Sequence, residues 1–124
     1  MATSVMVDDN GKALVDPAGL RPAYRATGVV VATTGAATAE VDVTAAFSGA
    51  RNGQGQAIAR IVCHTNACLF AFGAAGAAAS YTTNDNMVYL PANTIEYVRL
   101  DSADVSLYHL QVTGAGTLQI AALK

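Results

Sequence analysis

The stretch Ala57-Ile58-Ala59-Arg60-Ile61-Val62-Cys63-His64, then Thr65-Asn66, then Ala67-Cys68-Leu69-Phe70-Ala71-Phe72 constrains the fold more than any other part of the chain. Alternate residues of a strand share a face. Ala59, Ile61 and Cys63 therefore form one apolar face, and Cys68, Phe70 and Phe72 form another. With Thr65-Asn66 as a two-residue turn, Cys63 lies opposite Cys68, Ile61 opposite Phe70 and Ala59 opposite Phe72. The sequence thus predicts a β-hairpin with a single core face. Arg60, Val62, His64, Leu69 and Ala71 fall on the other side.

The same period recurs on either side. Ala26 to Ala32 is a short β-branched run ending at Thr33-Thr34-Gly35. Ala39 to Thr44 alternates strictly, with Val41 and Val43 against Glu40 and Asp42, and residues 48–55 read as a loop. Met87 to Leu90 and Thr94 to Leu100 are further strands; Pro91 between them marks a corner or an edge. Val105 to Val112 and Thr117 to Leu123 read as a last hairpin. A three-residue turn with Gly116 left-handed pairs Tyr108, Leu110 and Val112 with Leu118, Ile120 and Ala122. His109 and the two glutamines then face away from the core. The alanine-rich stretch 73–80 carries two glycines and no period of 3.6, so no helix is expected. The predicted fold is all-β: an antiparallel β-sandwich, jelly-roll-like, of about eight strands.

Residues 1–25 differ from the sandwich domain predicted over 26–124. Asp8-Asp9-Asn10-Gly11 between Ser4-Val5-Met6-Val7 and Lys12-Ala13-Leu14-Val15 is a hairpin signal. Pro17 and Pro22 then punctuate the chain. This segment is expected to be an N-terminal arm or hairpin, with Arg21, Tyr24 and Arg25 as candidate interface residues. No basic segment followed by an apolar stretch opens the chain, so no secretory signal is expected.

Chemistry is sparse. The chain holds two histidines, and its only two glutamates are Glu40 and Glu96. His64 and His109 are too few for a cupin-type metal centre, and neither adjoins a nucleophile elbow. Asp8-Asp9, Asp101 and Asp104 read as turn residues, where acids are simply good turn formers. Cys63, His64 and Cys68 lack a zinc pattern, since His64 points away from both cysteines. The cysteines are expected to be buried, reduced thiols. Tyr81, Tyr89, Tyr97 and Tyr108 are expected in the core or at an interface. No catalytic residue, cofactor or metal is expected. Seven Lys plus Arg and a net charge of −2 leave no basic patch for nucleic acid, and no apolar run approaches a membrane span. Charged residues make up only 13%. A free monomer so poor in charge is prone to associate, and surfaces covered by companions resolve that difficulty.

Residues 83–99, Thr83-Asn84-Asp85-Asn86-Met87-Val88-Tyr89-Leu90-Pro91-Ala92-Asn93-Thr94-Ile95-Glu96-Tyr97-Val98-Arg99, followed by Val112-Thr113-Gly114-Ala115-Gly116-Thr117-Leu118, resemble the ends of small capsid-associated decoration or cement proteins of tailed bacteriophages. The resemblance covers roughly residues 57 to 123. It implies a β-sandwich bound outside the shell, often as a trimer, with the major capsid protein or another virion protein as partner. The expected location is the virion surface after assembly in the host cytoplasm. A tail, collar or fibre subunit is the alternative. So is a carbohydrate-binding module using Tyr81, Tyr89 and Asn84-Asp85-Asn86.

Overall fold

The computed structural model describes residues 25–82 and 86–124. The predicted hairpin within residues 1–25, with Arg21 and Tyr24, lies outside the described residues apart from Arg25. Eight strands follow in order: β1 (Ala26–Thr33), β2 (Ala39–Asp42), β3 (Ala57–His64), β4 (Cys68–Gly73), β5 (Val88–Leu90), β6 (Ile95–Leu100), β7 (Ser106–Gln111) and β8 (Thr117–Leu123). One short helix, α1 (Thr44–Phe47), and a single 3-10 turn at Ala78–Ser80 complete the set. Two antiparallel four-stranded sheets face each other, in the orders β1-β8-β3-β6 and β2-β7-β4-β5. The expected antiparallel β-sandwich is the fold of this chain.

Strands pair from the ends of the chain inward: β1 with β8, β2 with β7, β3 with β6 and β4 with β5. Arg25 extends the first of these ladders. Its N–H donates to the Lys124 carbonyl at 3.0 Å and its own carbonyl accepts from Lys124 N–H at 2.8 Å. The inner faces meet in one core: Ala57, Ala59, Ile61, Cys63, Leu118, Ile120 and Ala122 from the first sheet, Cys68, Phe70, Leu90 and Leu107 from the second.

Two predicted hairpins do not form. β3 pairs with β6 and β8, whereas β4 pairs with β5 and β7. The chain leaves one sheet at His64 and enters the other at Cys68. The alternation in residues 57–72 was read with the correct faces and the wrong geometry. Two matching apolar faces fit equally well side by side in one sheet or opposed across a sandwich. Likewise β7 and β8 lie in different sheets, and among the described residues the left-handed glycines are Gly55 and Gly76, not Gly116. Gly116 is small for another reason: a Cβ there would stand 2.8 Å from the Asn66 carbonyl oxygen and 2.9 Å from Cys63 Sγ. With β7 freed from β8, its faces exchange roles. Leu107 joins the main core and His109, instead of facing outward, is 2% exposed.

Helix α1 is the element that the alternation hid. Asp42 Oδ1 accepts the Thr44 N–H at 2.8 Å, satisfying one of the amides that a helix start leaves free. Phe47 N–H donates to the Val43 carbonyl at 3.1 Å. This single turn drives the Phe47 ring into the core, where it is fully buried.

Candidate functional site

The two outer faces of the sandwich are unlike. On the second sheet, Leu69, Ala71 and Tyr108 are buried under the loop that follows β4, forming a satellite core with Met87, Ala77, Ala78, Tyr81 and Leu110. The Tyr81 and Tyr108 rings stack at 4.6 Å. Tyr108 OH donates to the Ala74 carbonyl and accepts the Ala77 N–H at 3.0 Å. Glu40 ties the lid down, accepting from Ser106 Oγ at 2.6 Å and from Gly76 N–H at 3.1 Å. The Ser106 hydroxyl and then the Gly76 amide hold the Glu40 carboxyl below its ordinary range. Of the small residues in this loop, Ala77 and Ala78 pack against the satellite core.

The first sheet carries a different surface. Its register sets two rows outward: Val29, Ala121, Arg60 and Tyr97, then Val31, Gln119, Val62 and Ile95. Val29, Val31, Ile95 and Tyr97 are 53%, 62%, 46% and 60% exposed, while Ala121 and Val62 between them are buried. Arg60 reaches the Gln119 side chain at 3.5 Å. No carboxylate occupies either row. Within these two rows the exposed apolar side chains lie on the flanking strands β1 and β6, with Arg60 and Gln119 between them, and Arg99 stands in the next row of the same face. Among the expected interface residues, Arg25 is exposed at the end of the β1–β8 ladder.

The tyrosines divide accordingly. Tyr108 is buried, Tyr81 is half-buried against it, and Tyr89 and Tyr97 are exposed. A cleft of about 370 Å³ is lined by Ala36, Ala37, Thr38, Ala78, Ala79, Thr82 and Leu110, which offer no acid, base or imidazole. Among the described residues, no three His, Cys, Asp or Glu side chains converge as metal ligands would.

Two titratable features lie within the core. Cys63 and Cys68 are free and fully buried. Burial pushes both thiols up, Cys68 to about 12. Reading the faces from sequence found this pair, though across the sandwich and not across a hairpin. His109 was not foreseen as a core residue. Its Nδ1 has no hydrogen-bond partner, and burial lowers its pKa from the ordinary value. The folded chain therefore resists a proton that the unfolded chain accepts below about pH 6.5. Stability is complete above that pH and falls as the pH drops through it towards the depressed folded value. His109→Phe is expected to abolish this acid-side loss. It should also raise stability at neutral pH by about 1–3 kcal/mol by removing an unpaired buried polar atom. Urea denaturation between about pH 5 and pH 8 checks both effects.

No family model matches the chain, and no curated protein matches it. Among solved structures, the chain is similar to a protein of Bacillus endospore appendages, described as a family of disulfide-linked pili. The TM-score is 0.47 with 14% identity, covering 77% of this chain and 79% of that chain.

Proposed function

We propose that this chain is a non-enzymatic structural subunit of a tailed-phage virion, a decoration or cement protein that binds the outside of the head. The outer face of the first sheet carries the reading. Four large apolar side chains, Val29, Val31, Ile95 and Tyr97, stand in solvent at its two flanks, whereas on the second sheet the chain's own loop covers Leu69, Ala71 and Tyr108 and leaves Tyr89 exposed on the edge strand β5. Exposed large apolar side chains gathered on one face mark an interaction site. The partner is the major capsid protein or another virion protein, and the oligomer favoured by the phage-protein resemblance is a trimer.

The end-to-inward pairing of strands supports this reading. It is compatible with the jelly-roll-like winding that belongs to this proposal, an architecture used by viral capsid domains as well as lectins and cupins. Repetition over a symmetric shell multiplies weak contacts, so a modest patch per subunit suffices.

Protein counting by mass spectrometry of purified virions is expected to find hundreds of copies. A chain carrying Val31→Asp and Tyr97→Asp should keep its melting behaviour, because both positions are exposed, and should no longer co-sediment with heads. Absence of the chain from virions, or undiminished binding by the double variant, overturns the reading.

A further inference from the structure

The chain passes from one sheet to the other within Thr65, Asn66 and Ala67. Cys63, next to last in β3, and Cys68, first in β4, sit on either side of this corner. Both belong to the main core, where each thiol is near enough to perturb the other. The corner itself is strained. Thr65 has φ +79°, a left-handed backbone that a β-branched residue rarely adopts. It is held by its surroundings. Asn93 N–H donates to the Cys63 carbonyl at 2.7 Å, the Asn93 side chain accepts from Thr65 N–H at 3.4 Å, and the Asn66 amide donates to the Ala115 carbonyl at 2.9 Å. In-sheet neighbours of the pair are Leu118 for Cys63, and Leu90 and Gln111 for Cys68. None of these neighbours is a metal ligand, which leaves the two thiols as the chemistry of this corner.

We propose that Cys63 and Cys68 form a redox site: they close into a disulfide that staples the first sheet to the second at this corner. The oxidant is a low-molecular-weight disulfide such as glutathione disulfide, acting by thiol–disulfide exchange. One cysteine thiolate attacks a sulfur of that disulfide, releasing one small thiolate and leaving a mixed disulfide on the chain. The second cysteine thiolate then attacks the chain sulfur of the mixed disulfide, and the second small thiolate leaves. The two cysteine protons pass to solvent. Two electrons leave the protein sulfurs and reduce the small disulfide to two thiols. Because both sulfurs are buried, exchange runs during folding or through local opening of the corner, which the Thr65 strain favours. The bond encloses a short loop, placing its stabilising effect at the low end for disulfides.

The test refolds the full chain from denaturant with either reduced glutathione or glutathione disulfide. The oxidised sample should lose two hydrogens by intact mass, retain no glutathione and run as a single chain on a non-reducing gel. It should yield a Cys63–Cys68 cross-linked peptide. Its melting temperature should rise by about 5 °C or more and return on reduction. Cys63→Ser and Cys68→Ser should each give no internal cross-link and retain the small thiol instead. Two titratable thiols after oxidative refolding, linkage between two chains, or a bond that leaves the melting temperature unchanged or lower each overturn the proposal.

Discussion

Replacing Phe47 with alanine is expected to cost the fold about 3–5 kcal/mol, the range for emptying a fully buried aromatic site. Phe47 has no solvent exposure and packs in the main core with Val43, Leu100 and Leu107. The backbone that carries it is one helical turn, fastened at its start by Asp42 and unable to slide inward to fill the void. A second consequence follows from Arg51, whose guanidinium lies 6.0 Å from the Phe47 ring centre. Arg51 donates to the carbonyls of Gly55, Asp101 and Asp104 at 2.6, 2.9 and 2.6 Å, joining the loop after α1 to the turn between β6 and β7. Losing the ring therefore loosens the seat of a clamp as well as opening a cavity. Denaturant titration should show the midpoint falling with an unchanged slope, and the melting temperature dropping on the order of 10–20 °C. Phe47→Leu should recover most of that loss. A deficit under about 1 kcal/mol for the alanine variant contradicts the ring's place as a core anchor.

What could be read from the sequence was the strand, and what could not was its neighbour. Of the inward set Ala59, Ile61, Cys63, Cys68, Phe70 and Phe72, five are buried in the main core and Phe72 packs half-buried against it, because a period of two fixes faces regardless of partner; Val62, Leu69 and Ala71 of the opposite face are buried as well. Pairing depends instead on where a connection points. Thr65-Asn66 looks like a hairpin turn, and a left-handed φ at Thr65 is what such a turn needs, yet β3 and β4 lie in different sheets. Helix α1 was hidden because Val41, Val43 and the residues after them continue the strand's alternation, and four residues are too few to show a helical period. His109 was assigned outward because a β7–β8 hairpin would have put Tyr108, Leu110 and Val112 on the core face; with β7 and β8 in different sheets the opposite face of β7 packs inward.

The exposed face of the first sheet did leave a signal. Val29-Val30-Val31 is apolar on both faces of β1, and β1 is an edge strand. Only Val30 is used by the core. The surplus on the other face is the surface on which the proposed virion contact rests. Ile95 and Tyr97, across the sheet on β6, belong to the same surface, but only the register reveals that. The alanine-rich lid gave no such signal, since it packs by smallness and has no pattern to recognise.

Gly28→Ala tests the same region as Phe47 from the opposite direction, by adding one carbon where none fits. A Cβ on Gly28 would collide with the Ala46 carbonyl oxygen and stand 2.9 Å from Ala46 Cα and 3.0 Å from its carbonyl carbon. All three are backbone atoms of α1, so no side-chain rotation relieves the clash. Either β1 bends away from β8, or α1 lifts and draws Phe47 out of the core. Gly28 already sits at an irregularity in the β1–β8 register, where the ladder has least to spare. The expected cost is about 3 kcal/mol, the upper part of the range for overpacking. Chemical denaturation of Gly28→Ala, Phe47→Ala and the double variant separates the two routes. If α1 lifts, the double variant should lose clearly less than the sum of the singles, because the second change acts on a helix already displaced. If β1 bends instead, the losses add. A Gly28→Ala chain as stable as the parent shows that β1 and α1 do not meet at this distance.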